Sequence, residues 1–246
     1  AGRRGVFSAS GRPLELSTMT TATRFDPSHM LSFDLETTGP DPLTARIVTS
    51  ALITINGSHR DDLEILADPG IEIPQEATAV HGITTEYARA HGRPHDEVLA
   101  ETIERIRRGW AQGATLIVYN AAYDLTVLRT LEPTFTVDGP VFDPLVVDKA
   151  KDRYRKGGRR LTQVCEHYGV SLDNAHEASA DAVAAARVAW KIARAYPEVV
   201  EMTADELMLK QATWNYGDKT ELREYFLKKG QTAKAASVNT SWPLQA

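Results

Sequence analysis

The chain has 246 residues, a formal net charge of −5, 42% hydrophobic residues and 25% charged residues, which is typical of one globular domain with room for an appendage. The negative balance argues against a protein that coats nucleic acid non-specifically. The single cysteine, Cys165, excludes an internal disulfide and a multi-cysteine zinc site. No apolar run approaches the roughly 18 residues of a membrane span, and no apolar segment follows Arg3-Arg4 as in a signal peptide. We therefore expect a cytoplasmic protein without membrane contact.

The first third of the chain predicts a disordered segment followed by three strands. Residues 1–24 are rich in Ser, Thr, Gly and Arg and lack periodicity, which favours disorder. Alternating apolar residues predict strands over 29–36, 46–56 and 62–66. Because Asn56-Gly57 separates the last two, they are expected to form a hairpin, and the three strands an antiparallel meander.

The following residues alternate between helices and strands. Helices are predicted over 75–91, 95–108, 161–168 and 178–195 and after Asp124, with strands over 115–119 and 141–147. This order predicts an α/β domain over about 25–200, built on a mixed five-stranded sheet flanked by helices. Residues 201–246 predict a helical C-terminal extension and a polar tail.

Two acids occupy the first predicted strand. Since side chains two apart on a strand share a face, Asp34 and Glu36 are expected to lie side by side while Phe33 and Leu35 enter the core. Two adjacent carboxylates raise each other's pKa unless a cation lies between them, and Mg²⁺ prefers such oxygen ligands. Gly39 would let a ligand approach the backbone. The alternative is an edge strand with two solvated acids.

Two further acidic motifs begin helices. Asn120 and Asp124, four residues apart, are expected on one side of a helix start, with Asn120 as its cap. His176 precedes Asp181 at the start of an alanine-rich helix. Taken singly, these residues have structural alternatives: a cap with a solvated acid, a loop histidine, and an acid that complements the helix dipole.

Together, Asp34-x-Glu36, Asn120-x-x-x-Asp124 and His176-x-x-x-x-Asp181 resemble the motifs of the DEDDh exonuclease family. The resemblance covers about residues 30–195. Within this family, the chain is similar to the epsilon proofreading subunits of bacterial DNA polymerase III, in particular to stand-alone actinobacterial types. It implies a ribonuclease H-like fold.

The resemblance also implies an activity and its cofactors. Asp34, Glu36, Asp124 and Asp181 would hold two Mg²⁺ or Mn²⁺ ions, with Asp34 bridging them, and His176 would be the general base. The product would be a nucleoside 5′-monophosphate released from a nucleic-acid 3′ end, with DNA as the expected polymer. Two alternatives stay open: an exoribonuclease, and an accessory subunit that docks a polymerase.

Substrate contacts are expected outside the acidic motifs. The resemblance implies that Thr37, Thr38 and Gly39 meet the terminal nucleotide, with His81 beside its base. Asn120 is expected to orient the second motif. Residues 149–160 contain seven basic residues and one acid, so we expect them, with Arg155 and Lys156, to hold the substrate backbone. Residues 201–246 are expected to contact a polymerase or a second copy of the chain.

Overall fold

The computed structural model describes residues 23–245, which form a six-stranded sheet with helices on both faces. The predicted disordered segment 1–24 therefore lies outside the described residues except for Thr23 and Arg24. The strands are β1 (His29–Thr37), β2 (Ile47–Asn56), β3 (His59–Asp68), β4 (Arg93–Pro94), β5 (Thr115–Ile117) and β6 (Val141–Phe142). Their order across the sheet is β4-β3-β2-β1-β5-β6.

The predicted antiparallel meander is confirmed, and it places β1 in the interior of the sheet. β1 pairs antiparallel with β2 and parallel with β5. The β2–β3 hairpin closes with Asn56 opposite His59, so the two-residue loop is Gly57-Ser58, one position later than predicted. Gly57 has a φ of 61°, a conformation that glycine adopts without steric cost. This hairpin fixes the register of β3 against the central strands.

Helices cover both faces of the sheet and enclose two large apolar cores. One core packs α3 (His95–Ala111) and α4 (Ala121–Leu131) against the face of β1 that carries Phe33. The other packs α6 (Leu161–Tyr168) and α7 (Ala178–Ala195) against the opposite face. No helix within residues 23–245 combines the length and apolar character that crossing a bilayer requires. The helices are α1 (Gln75–His81), α2 (Thr85–His91), α3 (His95–Ala111), α4 (Ala121–Leu131), α5 (Pro144–Lys151), α6 (Leu161–Tyr168), α7 (Ala178–Ala195), α8 (Glu198–Glu201), α9 (Ala204–Lys228) and α10 (Thr232–Ser237).

The predicted mixed α/β fold with flanking helices is confirmed, with two differences in the strands. A sixth strand, β4, pairs with the end of β3 over only two residues, too few to leave an alternating pattern in the sequence. The strand predicted over 141–147 ends at Phe142. Pro144 begins α5 there, because proline suits the first turn of a helix and cannot donate to a strand ladder.

The C-terminal helix α9 packs along the edge of the sheet at β6. The side-chain amide of Gln211, fully buried, accepts a hydrogen bond from the Asp143 backbone N–H at 2.7 Å and donates to the Val141 carbonyl at 2.8 Å. After α10 the chain returns along α9, and Trp242 enters the core, where its indole N–H donates to the Asp143 carboxylate at 3.2 Å. The edge strand is thereby covered by the chain's own C-terminal residues.

Candidate active site

The face of β1 opposite Leu35 presents Asp34 and Glu36, as the alternation predicts. Leu35 is buried in the core, whereas Asp34 and Glu36 are both partly exposed. Ser32, on the same face, donates a hydrogen bond from its hydroxyl to the Ala182 carbonyl of α7 at 2.6 Å. The N-terminal part of α7 is thereby held close to the strand that carries the two acids.

Asp124 reaches the same strand from α4. Its carboxylate accepts a hydrogen bond from the Leu35 backbone N–H at 3.1 Å, between the two acids of β1. Asn120 occupies the predicted N-cap position of α4, but not through its side chain. Asn120 has a φ of 65° and its side chain makes no cap hydrogen bond. The Asp143 carboxylate instead accepts from the backbone N–H groups of Asn120 and Ala121 at 3.0 and 2.9 Å and fixes the start of α4.

His176 and Asp181 meet Glu36 at the start of α7. The His176 backbone N–H lies 3.3 Å from each carboxylate oxygen of Asp181, and His176 has a φ of 69°. A non-glycine residue in this left-handed conformation is strained, and the contact with Asp181 holds it there. One ligand atom from each of Glu36, His176 and Asp181 lies within 4.8 Å of the others. The first and third predicted motifs are therefore adjacent in space.

Burial raises the pKa of all four acids, and neighbouring carboxylates raise the pKa values of Asp34 and Glu36 further. Burial, followed by the charge of Asp124, raises the pKa of Asp34 well above its ordinary value. Burial, followed by Asp181, raises the pKa of Glu36 to about 8, and burial raises the pKa of Asp124 to about 8. The pKa of Asp181 is also raised by burial, against the effect of His176.

No Lys or Arg within residues 23–245 forms an ion pair with any of these four acids. Converging carboxylates that lack a cationic side chain are a suitable donor set for hard divalent cations, which take oxygen ligands. The residues present thus fit the two ions that the sequence motifs imply.

A fifth acid, Glu64, lies beside the site and was missed by the sequence analysis. It is opposite Ala51 on β2, which is itself opposite Asp34 on β1, and it contributes to raising the pKa of Asp34. Its carboxylate accepts a hydrogen bond from the Ser179 backbone N–H at 2.9 Å, in the first turn of α7. The hairpin register was the signal that could have identified this residue.

The segment that follows β1 is held by hydroxyl groups. The Thr37 hydroxyl lies 2.5 Å from the Tyr123 hydroxyl and 3.0 Å from the Gly39 carbonyl, which it contacts as a donor. The Thr38 hydroxyl accepts from the Arg46 backbone N–H at 3.0 Å. A side chain on Gly39 would meet no atom within 4 Å, so space is open above this backbone. The Thr37–Gly39 segment thus presents an open surface beside the acids. Contact of these residues with a substrate stays a prediction.

His81 lies next to the Thr37–Gly39 segment, at the end of α1. Gly82, with a φ of 78°, ends the helix, so the turn also has the capping role considered from the sequence. Burial lowers the pKa of His81, opposed by the Thr37 backbone and assisted by the nearby charge of His176. The structure therefore brings His81 to the site, and its contact with a substrate base stays a prediction.

Arg155 is engaged in ion pairs within the protein. Its guanidinium donates to both carboxylate oxygens of Asp148 at 2.8 and 2.6 Å and to Asp152 at 2.9 Å. Arg159 also pairs with Asp148, which is fully buried. Lys156 is exposed. The predicted phosphate contacts of Arg155 and Lys156 stay predictions, and Arg155 has a structural partner that the sequence analysis did not foresee.

Comparisons with known proteins identify relatives of this fold and of these motifs. The exonuclease family model, RNase T, matches residues 31–189. A DNA polymerase III subunit epsilon-like protein of Rhodobacter capsulatus is 32% identical over 172 residues, covering 67% of this chain and 23% of that protein. A PolC-type DNA polymerase III of Clostridium perfringens is 28% identical over 192 residues, covering 76% and 12%.

Solved structures show the same fold. Exonuclease I of E. coli in complex with a dA16 oligonucleotide has a TM-score of 0.59 at 22% identity, covering 71% of this chain and 42% of that one. The chain thus spans less than a quarter of the length of the two curated relatives and less than half of this structural neighbour.

Proposed function

Because the chain belongs to the exonuclease family, we propose that it is a 3′→5′ exonuclease that hydrolyses DNA with two bound Mg²⁺ or Mn²⁺ ions. The observation that carries this proposal is the convergence of Asp34, Glu36, Asp124 and Asp181 with His176 on one face of β1. The similarity to an epsilon-like protein and the predicted family motifs agree with it.

Asp34, Glu36, Asp124 and Asp181 would together hold the ions. When bound, the ions neutralise charge on the phosphodiester and favour ionisation of the attacking water. Before they bind, the raised pKa values keep protons on part of the acid cluster, so metal binding releases protons.

The protein's own groups supply positioning and a proton acceptor. A ring nitrogen of His176, on the exposed rim beside Glu36 and Asp181, accepts the proton of the attacking water. The Asp181 carboxylate fixes the backbone of His176, and Asp143 fixes the helix that carries Asp124. The Thr37–Gly39 segment receives the terminal nucleotide, with His81 beside it. The product is a nucleoside 5′-monophosphate.

DNA is proposed as the polymer because of the names of the relatives. Two are a DNA polymerase III and an epsilon-like protein, and a structural neighbour was solved with dA16. The helix α9 exposes Leu209, Tyr216, Tyr225 and Leu227, and contact with a polymerase or with a second copy of the chain stays a prediction for residues 201–246.

The test is digestion of oligonucleotides labelled at either end, with Mg²⁺ or Mn²⁺. A 5′-labelled strand is expected to shorten stepwise, whereas a 3′-labelled strand should release labelled mononucleotide at once. Asp34→Ala should abolish both signals while preserving the thermal unfolding transition. A parallel digestion of RNA tests the ribonuclease alternative. Stepwise release from the 5′ end, or full activity of Asp34→Ala, would overturn the proposal.

A further inference from the structure

A large cavity lies between α5 with its following loop and the C-terminal helix α9. Its volume is about 1070 Å³, above the roughly 300–1,000 Å³ of pockets that hold one small molecule. At one end it is lined by Asn120 and Ala122, in the turn that begins α4 and leads to Asp124. The other wall belongs to α9, which lies beyond the residues matched by the exonuclease family model. We call this cavity the α5–α9 groove.

Cations outnumber acids along the α5–α9 groove, and one cation is uncommitted. Among the described residues that line it there are five Lys or Arg side chains and three acids. Lys149 pairs with Asp218 at 2.9 Å, and Arg153 pairs with Glu221 at 2.5 Å. Lys219 has no hydrogen bond or ion pair with any residue in 23–245, although its side chain is partly buried. Burial, followed by the charge of Lys149, lowers the pKa of Lys219, while Asp218 and Asp143 act in the opposite direction.

The ion pair between Arg153 and Glu221 can give way to a pair between Arg153 and another anion. The partners in the Arg153–Glu221 pair are 57% and 60% exposed, and pairs so exposed are worth about 0–1 kcal/mol. A phosphodiester could replace Glu221 as the partner of Arg153 at little cost. Asp143 is already occupied by backbone donors, so it adds no free anion to the groove.

Aromatic side chains line the same groove. Tyr154 is 90% exposed on the loop after α5, and Trp214 and Phe226 are partly exposed on α9. Exposed aromatic rings interleaved with cations bind single strands, because unpaired bases stack on the rings while phosphates meet the cations. In a duplex the base faces are already covered by neighbouring bases.

We propose that the α5–α9 groove binds the single-stranded DNA segment that precedes the 3′-terminal nucleotide, with Lys219 contacting a phosphate and Tyr154 stacking on a base. The identity of this ligand rests on the proposed exonuclease function. The groove would make affinity depend on strand length, since only a strand longer than the few nucleotides at the acids reaches α9. The C-terminal helix would thus contribute directly to substrate binding.

The test is equilibrium binding of fluorescent oligothymidylates, followed by anisotropy, to the full chain carrying Asp34→Asn so that no strand is cleaved. A dodecamer is expected to bind at least about tenfold more tightly than a trimer. Tyr154→Ala should weaken dodecamer binding by about 5-fold or more. Lys219→Gln should weaken it and should reduce the slope of log affinity against log salt by about 0.7. Neither change should alter trimer binding by more than about twofold.

The matched control is Lys210→Gln, the same charge change at an exposed position of α9 outside the groove. Equal affinity of trimer and dodecamer, or equal effects of Lys219→Gln and Lys210→Gln, would overturn the proposal. Because the Tyr154 ring is largely exposed, Tyr154→Ala should fold like the wild type. Weaker binding by this variant would therefore reflect loss of the ring and not misfolding. A uridylate series identifies the sugar. Length dependence with oligothymidylates that the groove variants reduce supports the proposal, and length dependence with oligouridylates alone, or with neither polymer, overturns it. Binding does not require hydrolysis, so failure of the exonuclease proposal would be seen separately, in wild-type digestion.

Discussion

Replacing Asp124 by Asn should stabilise the metal-free protein at alkaline pH while it abolishes activity. Asn keeps an oxygen that can accept the hydrogen bond from the Leu35 backbone N–H, so the geometry at the start of α4 is preserved. The change removes one negative charge from a cluster of acids for which no Lys or Arg within residues 23–245 supplies an ion pair. Repulsion and burial cost are therefore relieved, and a metal ligand is lost.

The size of the effect follows from the pKa of this carboxyl. Asp124 is 4% exposed, and its pKa is raised from 3.8 to about 8. Between these values the folded protein holds a proton that the unfolded chain has released, so the free energy of unfolding falls as the pH rises. The loss is absent below about pH 4 and reaches on the order of 5 kcal/mol at about pH 8. For a chain of this size that corresponds to roughly 10–20 °C in Tm.

Thermal unfolding in EDTA at several pH values measures this effect. Wild-type protein and Asp124→Asn should melt at similar temperatures near pH 4, and the variant should melt higher as the pH approaches 8. Added Mn²⁺ should raise the Tm of the wild type more than that of the variant. Asp61→Asn, at an exposed position of β3, is the control for a simple change of net charge. A variant that is equally stable or less stable at alkaline pH would refute the argument.

Three further substitutions, with Thr203→Ala as a control, test the proposed base and two buried carboxylates. His176→Ala should lower turnover by about 10²–10⁴-fold and leave the Mn²⁺ concentration for half-maximal activity nearly unchanged, as measured by steady-state kinetics. Asp143→Ala should lower the free energy of unfolding in urea by about 2–4 kcal/mol, because this carboxylate serves the starts of both α4 and α5. Thr203→Ala, which removes the cap of α9 alone, should cost only about 1 kcal/mol. Asp148→Ala leaves the largely buried guanidinium of Arg155 with its more exposed partner only, and should cost about 3 kcal/mol in the same assay.

Different outcomes would contradict each expectation. An unchanged rate for His176→Ala would remove this residue as the proton acceptor, and a large rise in the required Mn²⁺ concentration would make it a metal ligand instead. Equal costs for Asp143→Ala and Thr203→Ala would show that Asp143 does not support two helices. Glu221→Ala breaks an exposed pair and should cost less than about 1 kcal/mol. If Asp148→Ala lowered the free energy of unfolding by no more than Glu221→Ala, burial of Asp148 would not strengthen its ion pair with Arg155.

Much of the fold and of the acid cluster was predictable from local pattern. The alternation around Asp34 and Glu36 places them on one face of β1, because the side-chain period of a strand is two. The alanine-rich stretch after His176 forms α7 as predicted, since its periodicity and composition favour a helix. The predicted membership in the exonuclease family is confirmed, because it depended on motif spacing, which a sequence displays directly.

Residues whose roles depend on distant partners could not be predicted. Asp143 falls within the strand predicted over 141–147, yet it caps α4, 22 residues earlier in the chain, and receives the Trp242 indole N–H, 99 residues later. Arg155 looked like a free phosphate ligand, yet it pairs with buried Asp148. Glu64 belongs to no sequence motif, although the pairing of β1, β2 and β3 places it in line with Asp34.

The sequence by itself determined which residues we propose to carry the chemistry, because the acids of each motif are tied to the local geometry of one strand or one helix start. Only the tertiary structure decided how these motifs are held and what surrounds them. The caps from Asp143 and Glu64 and the groove between α5 and α9 arise from contacts between segments far apart in the chain. Such contacts are selected by packing of whole elements, and no periodicity within one element records them.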